Sequence, residues 1–368
     1  MKIAFDSQIF TMQKYGGISR YISSLAAELE GMDGVEGRIV APFYINDYLR
    51  RLPKQIVSGQ RVPKIPKMGL AVHISGRWLA RRKIAQLAPD IVHETYYTRR
   101  AMAPRSARTV VTVYDMIHEI FPELYPARDK TAALKRAAVL RADHVICISE
   151  NTRRDLLKFV PVAPEKVSVV YLGVDQLAAP GANAAPPPTS MALPYLLFVG
   201  GRGHYKNFNN VLRAYAASEW LKDNFRIVCV GGGKIEAGEL DLMQELGIPV
   251  DRVEQVEAND NLLSLYYRNA GAFIYPSKYE GFGIPPLEAM SAQCAVLCSD
   301  ASSIPEVVGD AGEYFDADNI DAIRAAIENV LRHKERRDQL IDKGNARCKE
   351  FSWARCASET LAIYRALT

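Results

Sequence analysis

AFIYPSKYEGFGIPPLEAM, from Ala272 to Met290, reads as one strand, one turn and one helix in a single pass. Ala272 to Tyr275 is a short apolar run of the kind that fills a buried strand. Gly281 and Gly283 supply a turn, and Pro285 and Pro286 stand at the first positions of a helix, where a missing N–H costs nothing. A strand that passes through a glycine turn straight into a helix is the repeating unit of a parallel α/β sheet. The turn and the helix start then offer backbone amides at the carboxyl edge of the sheet, where a diphosphate fits. Glu280 lies before the helix and Glu288 in its expected first turn. Carboxylates accept paired hydrogen bonds from vicinal hydroxyls, which makes them readers of sugar or ribose. A helix start with a dipole-favoured Glu288 is the purely structural alternative.

Outward from this stretch the same rhythm continues in both directions. Toward the amino terminus, strands are expected at Lys2–Phe5, Arg38–Ala41, Ile91–His93, Thr109–Val113, His144–Ile148 and Val167–Tyr171. Residues 178–194, AAPGANAAPPPTSMALP, are too rich in Ala, Pro and Gly to continue helix or sheet and read as a linker. Beyond it, strands are expected at Leu196–Val199, Arg226–Val230, Ala272–Tyr275 and Ala295–Cys298, with helices near 206–217, 260–269, 285–292 and 318–332. The organisation is therefore a Rossmann-like domain over 1–177, the linker, a second over 195–350, and a closing amphipathic helix over 351–368. Phe351, Trp353, Leu361, Tyr364 and Leu367 give that helix an apolar face that must pack on something, with the first domain as the candidate. Doubly wound sheets bind ligands outside the carboxyl ends of their strands, so two facing domains would enclose a cleft.

The composition agrees with a two-domain enzyme. The 368 residues are 48% hydrophobic and 24% charged, which leaves no room for a disordered or fibrous class. No apolar run approaches the length of a spanning helix, and Met1 to Phe5 followed by Asp6 is too short and polar for a secretory signal, so a cytoplasmic protein is expected. Six scattered cysteines without a CxxC pair read as buried, reduced thiols. Charge is uneven: residues 1–175 carry a net +10 and the remainder a net −6, within a total of +4.

Two further stretches offer phosphate chemistry. FVGGRGHYKNF, Phe198 to Phe208, is a strand, a glycine turn and a helix start in which Arg202 and Lys206 could neutralise a departing diphosphate. As a bare pattern it is weak, being neither a full GxGxxG nor a Walker sequence. KYGGISRY, Lys14 to Tyr21, places Gly16 and Gly17 at a turn after the first strand and Arg20 in the first turn of the next helix. Asp316 and Asp318 have the spacing of a metal-binding DxD, but they precede a helix, and an N-cap is the better reading. No metal is expected.

Glu280 and Glu288 inside EGFGIPPLEAM resemble the E-x7-E signature of the retaining GT-B glycosyltransferases, specifically glycosyltransferase family 4, and SDASSIPEVVGDAG (Ser299–Gly312) is similar to the stretch that follows it there. ISENTRRDL (Ile148–Leu156), YLGVD (Tyr171–Asp175) and FSW (Phe351–Trp353) extend the resemblance to essentially the whole chain. It implies a GT-B fold of tandem Rossmann-like domains with an interdomain cleft, and transfer of a sugar, with retention, from a nucleoside diphosphate donor to an acceptor hydroxyl. It further implies that Gly16, Gly17, Lys206, Glu280, Gly281, Phe282, Gly283, Ile284 and Glu288 bind the donor, without a metal or other cofactor; the family's arginine directly before the lysine is here Tyr205, so Arg202, four residues before Lys206, is assigned that cation's role by inference from the residues. Glu288 would hold the ribose diol and Glu280 the donor sugar, with Arg202 and Lys206 meeting the diphosphate. Family wording around GFGIPPLEAM and SSIPEV favours a GDP-linked mannose or deoxysugar.

The acceptor side departs from the family. Its histidine one residue before the aspartate of TVYDMIHE is here Tyr114, followed by Asp115, so His118 becomes the candidate for the catalytic histidine; a satisfied structural histidine is the competing reading. Arg20, Glu94, Tyr96, Tyr114 and Asp115 are the expected acceptor contacts, and a glycan on a polyprenyl diphosphate lipid is the expected acceptor. Residues 50–83 hold ten Lys/Arg and no acid, with Leu70, Ile74, Trp78 and Leu79 near helical spacing. That pattern suits an anionic membrane surface, hence the inner face of the cell membrane, or else a solvated basic face; no nucleic-acid reader motif accompanies it. A non-catalytic nucleotide-sugar-binding protein and a glycoside hydrolase, which also needs two carboxylates, are the rival classes. A nicotinamide dehydrogenase is disfavoured by the missing glycine fingerprint.

Overall fold

The computed structural model describes residues 1–63, 69–175 and 193–368, with residues 69–74 described as backbone alone. The chain forms two compact units, Met1–Gly173 joined by Ser352–Thr368, and Val174–Phe351. Of the expected linker, residues 178–192 lie outside the described residues.

Unit one is built on seven strands: β1 (Lys2–Phe5), β2 (Glu36–Tyr44), β3 (Val57–Arg61), β4 (Ile91–Glu94), β5 (Arg108–Val113), β6 (His144–Cys147) and β7 (Val167–Val169). Their order is β3-β2-β1-β4-β5-β6-β7, and every pairing is parallel. Unit two carries β8 (Tyr195–Val199), β9 (Arg226–Val230), β10 (Val253–Val256), β11 (Ala272–Tyr275), β12 (Val296–Ser299) and β13 (Gly312–Phe315), ordered β10-β9-β8-β11-β12-β13 and again parallel throughout. The inner strands are apolar on both faces, as sheets covered by helices on both sides require. In each sheet the strand order reverses once, between β1 and β4 and between β8 and β11. These switch points open crevices at the carboxyl ends of the strands. The loops that leave β1, β4, β8 and β11 therefore decide what each unit can bind.

Three strands were not expected from sequence: β3 (VSGQR), β10 (VEQV) and β13 (GEYF) are short and half-exposed. β3 has a specific requirement. β2 bulges between Val40 and Phe43, and a Cβ on Gly59 would lie 1.7 Å from the carbonyl oxygen of Ala41, so the strand pairs there because residue 59 is glycine.

The closing helix, Trp353–Leu367, packs on the helix Gly17–Glu30 of unit one. Trp353 lies near the Tyr21 ring, and Tyr364 is fully buried with its hydroxyl 2.5 Å from Nδ1 of His93. The backbone of Gly173 meets the start of that helix so closely that a Cβ would sit 2.3 Å from the Trp353 nitrogen.

All six cysteines are buried, and none forms a disulfide. Burial pushes the thiols of Cys294 and Cys356 up to about 12. Among the described residues no helix is long and apolar enough to cross a membrane.

Candidate functional site

At the switch point of unit two, the loops after β8 and β11 are stitched together by backbone. The amide of Lys278 donates to the Tyr205 carbonyl at 2.7 Å, and Asn207 donates from Nδ2 to the carbonyls of Pro276 and Ala317 at 3.2 and 2.7 Å. Asn207 stands in the left-handed region at φ 60°, which ends the short turn His204–Lys206 and starts the helix Phe208–Ala216. Lys206 is thereby aimed across the crevice: its Nζ lies 2.7 Å from Oε1 of Glu280 and over the rings of Tyr205 and Tyr275. Burial, and then the Glu280 charge, push the Tyr275 hydroxyl well above its ordinary value.

Glu280 is held by its backbone. Its amide donates to the Ser302 hydroxyl at 2.8 Å, and the Ser303 hydroxyl donates to the carbonyls of Glu280 and Phe282 at 2.9 Å each. Both serines lie in the loop after β12, so a third strand end fixes the turn. The Phe282 ring is buried against Phe351. Gly283, at φ 119°, closes the turn, and the helix Ile284–Ser291 begins. Glu288 is the fifth residue of that helix and so falls in its second turn, one turn deeper than the sequence suggested. It is buried, and the Tyr267 hydroxyl donates to its Oε2 at 3.3 Å. The expected row of amides is also shorter: Pro285 and Pro286 have no N–H, which leaves Ile284 and Leu287 as first-turn donors. More of the burden of meeting an anion then falls on Lys206.

Arg202 is not turned to Lys206. Its side chain is buried and the guanidinium pairs with Glu239, Nε to Oε1 at 2.8 Å and Nη2 to Oε2 at 3.1 Å, while Nη1 and Nη2 also donate to the carbonyls of Gly231 and Lys234. In this arrangement Arg202 clamps the glycine loop after β9. The phosphate contact expected of it is corrected to this positioning contact, because the buried guanidinium is held by the Glu239 carboxylate and the carbonyls of Gly231 and Lys234.

In unit one the glycine turn hangs from a neighbouring loop. Asn46 donates from Nδ2 to the carbonyls of Gln13 and Lys14, and the Asp47 amide donates to Lys14 at 3.0 Å. Gly16 caps the helix that Gly17 opens, its carbonyl accepting from the Arg20 amide at 3.0 Å. Asp6, which the sequence reading passed over, sits fully buried at the end of β1 and accepts from Thr95, from the Gln8 amide and from Gln8 Nε2. Burial raises its pKa against those bonds. An acid that directly follows an apolar strand was the signal available.

The acceptor candidates separate. Glu94 is fully buried, ion-paired to Arg141 and bonded by the Met102 amide at 2.9 Å, so it braces β4 and is corrected from an acceptor contact to a structural one. Tyr114 is buried and donates to the Thr95 carbonyl at 3.0 Å, which removes it from acceptor contact in the same way. Asp115 is partly exposed and accepts from the Ile117 amide, and buried Lys135 bonds its carbonyl and Glu119. Tyr96 stacks obliquely on Tyr97, and His118 lies flat on Tyr125 with ring centroids 3.9 Å apart. His118 and Asp115 therefore share one lip at the end of β5, and Nδ1 of His118 is a buried atom with no hydrogen-bond partner.

Among the described residues no group of three or more His, Cys, Asp or Glu side chains is arranged to hold a metal ion. Asp316 accepts from the Asp318 amide and Asp318 pairs with Lys278, while Asn319 caps the helix Ile320–Arg332; the expected aspartate cap is thus an asparagine cap.

Two parallel α/β units, each with polar loops at its switch point, match the architecture expected of the GT-B glycosyltransferases. Residues 15–176 match the model of Glycosyltransferase Family 4, and residues 185–347 that of Glycosyl transferases group 1. The chain belongs to this family and is a glycosyltransferase. It is 29% identical to the O-antigen chain mannosyltransferase B of Escherichia coli over 79% of each chain, and 25% identical to the alpha-maltose-1-phosphate synthase of Mycolicibacterium smegmatis over 99% of each. In fold it is similar to the sucrose-phosphate synthase of Thermosynechococcus elongatus (19% identity, TM-score 0.76, 100% and 98% coverage) and to WaaG, a glycosyltransferase of lipopolysaccharide biosynthesis (17%, 0.73, 98% and 99%).

Proposed function

We propose that this glycosyltransferase moves mannose or a related sugar from a GDP-linked donor to a glycan carried on a polyprenyl diphosphate lipid, with retention and without a divalent ion, in the synthesis of a surface polysaccharide. The likeness to O-antigen mannosyltransferases of Escherichia coli and of Salmonella typhimurium, at 29% and 26% identity, supports the sugar and the kind of product.

The observation that carries the reading is the Lys206–Glu280 pair, 2.7 Å apart at the switch point of unit two. A donor diphosphate entering there takes Lys206 from Glu280, which frees the carboxylate for the hydroxyls of the donor sugar. When the bond from the anomeric carbon to the diphosphate breaks, its electron pair stays on the phosphate oxygen. Lys206 and the amides at Gly283 and Ile284 meet that charge, in place of a metal. Glu288, anchored by Tyr267, accepts from the ribose. The acceptor hydroxyl bonds to the anomeric carbon and its proton leaves to the departing diphosphate, so atoms and charge balance.

For membrane contact, the helix Gly69–Leu87 presents exposed Trp78 with the Arg82 guanidinium 5.9 Å from its ring, beside exposed Arg81 and Lys83. Leu70 and Ile74, expected on the same face, have side chains outside the described residues. This supports a protein peripheral to the inner face of the membrane.

A thermal-shift panel of GDP, UDP, ADP and their sugars tests the donor. A ligand at 100 times its dissociation constant adds about 2.7 kcal/mol of stability. GDP and GDP-mannose should raise the melting temperature, and Glu288→Ala should abolish the rise; a UDP preference overturns the assignment.

A further inference from the structure

Beside the Gly16–Gly17 turn, one carboxylate is shared by three cations. Asp47 is 8% exposed; Arg61 Nη2 lies 3.1 Å and Arg50 Nη1 3.8 Å from its Oδ1, and Lys14 Nζ lies 3.9 Å from its Oδ2. Lys14 is in the glycine turn, Arg50 in the short turn Tyr48–Arg51 after β2, and Arg61 at the end of β3, so all three stand at the carboxyl edge of the unit-one sheet. Burial opposes the charge on Asp47, yet the Tyr15 hydroxyl with Arg61, Lys14 and Arg50 holds its carboxyl below the usual range. One negative charge therefore sets the geometry of three positive ones and leaves a surplus of two. That surplus faces solvent, since the side chains of Lys14 and Arg50 are each 62% exposed and that of Arg61 is 43% exposed.

Aromatic surface adjoins it. Tyr15, half exposed, meets Tyr48 edge to face at 5.8 Å, with Lys14 and Arg51 lying over the two rings. Two guanidinium groups and an ammonium around a fixed centre suit phosphoryl oxygens, which take paired donors, and do not suit neutral hydroxyls, which need acceptors as well. The rings offer an apolar neighbour to whatever carries the phosphate.

We propose that Lys14, Arg50 and Arg61 bind the diphosphate of the acceptor's lipid carrier, with Tyr15 and Tyr48 against the first carbons of its prenyl chain. This deepens, and rests on, the lipid-linked acceptor proposed above. It assigns the carrier to the glycine-turn side of unit one, with Asp47 as a positioning residue that orients the cations.

The test is calorimetric titration of the full chain, with GDP present in excess, using farnesyl diphosphate and inorganic pyrophosphate as probes. Farnesyl diphosphate should bind the tighter of the two. The double variant Arg50→Gln/Arg61→Gln should weaken both by about a hundredfold, taking about tenfold for each lost charged contact. The single variant Arg50→Gln, at an exposed position, should lose about tenfold and guards against misfolding of the double variant. Affinity unchanged in a variant that melts like the wild type overturns the site, and equal affinity for the two probes overturns the lipid assignment. GDP titrated alone separates the two readings: if GDP fails to bind while farnesyl diphosphate still binds through Arg50 and Arg61, the donor assignment falls and this site stands.

Discussion

Lys206 and Glu280 come from loops 74 residues apart and meet at 2.7 Å where the strand order of the second sheet reverses. Neither loop is long, and both are fixed by the Lys278 amide, by the side chains of Asn207 and Ser303, which donate to backbone carbonyls, and by the Ser302 hydroxyl, which accepts from the Glu280 amide. The ammonium is therefore held at the crevice before a ligand arrives, and exchanging Glu280 for the diphosphate on binding leaves it in place for the charge that develops later.

Lys206→Ala should lower the transfer rate by about a hundredfold to a thousandfold, the usual effect of losing one preorganised group that meets developing charge. Steady-state kinetics with donor and acceptor would measure it. Glu280→Gln should instead weaken selection among donor sugars while GDP binding persists. Full activity in Lys206→Ala would remove the cation from the mechanism.

Glycine requirements divide sharply. Gly173→Ala forces a Cβ to within 2.3 Å of backbone at Trp353 and should detach the closing helix from unit one, at a cost of about 2 kcal/mol or more. Gly238→Ala, inside the helix Ala237–Glu245 with nothing within 4 Å, should stabilise by up to about 1 kcal/mol. Urea denaturation of the pair reads both; equal effects of the same sign would contradict the packing described.

What the sequence made legible follows from where burial falls. Strands such as Ala272–Tyr275, and Arg226–Val230 after its first residue, are buried at every position and appear as apolar runs. The edge strand Val253–Val256 has one buried residue, and the helix Lys334–Arg347 buries Leu340 and Gly344 in an otherwise charged segment, so neither carries a periodic signal. Gly344 matters because it lets that helix approach Met290, a contact that exists only in three dimensions. At the site, the Glu280 and Glu288 stretch was readable because strand, turn and helix are contiguous. The partners of Arg202 and Glu94 were not: Glu239 and Arg141 lie 37 and 47 residues away, and local spacing says nothing about which cation a buried acid will take.

His93 should make stability fall in acid. Burial pushes its pKa down to about 3 from the ordinary 6.5. Above pH 6.5 both folded and unfolded chains hold it neutral. As pH falls from 6.5 toward 3 the unfolded chain takes up a proton that the folded chain refuses, so stability drops by about 1.4 kcal/mol per pH unit. Between pH 7 and pH 5 that amounts to about 2 kcal/mol. His93→Gln removes this component, and the difference between the two proteins' denaturant midpoints should shrink across the same interval; a constant difference would contradict the buried neutral imidazole.

Glu94 discriminates a brace from an acceptor contact. Its carboxylate is fully buried, with Arg141 on one oxygen and the Met102 amide on the other. Breaking a buried ion pair from one side leaves the partner charge without compensation and costs about 3–5 kcal/mol. Arg141→Ala should therefore destabilise by that amount, because it strands the carboxylate. Glu94→Gln keeps the shape and one acceptor and should cost less. If Glu94 braced β4 alone, Glu94→Gln would leave the Michaelis constant for acceptor unchanged at a temperature where the variant is folded. Asp115, partly exposed on the adjoining lip, behaves in the opposite way: Asp115→Asn should raise the acceptor Michaelis constant with little change in melting temperature. Measuring both constants on both variants decides the matter, and an acceptor effect at Glu94 without a stability effect would reverse the assignment.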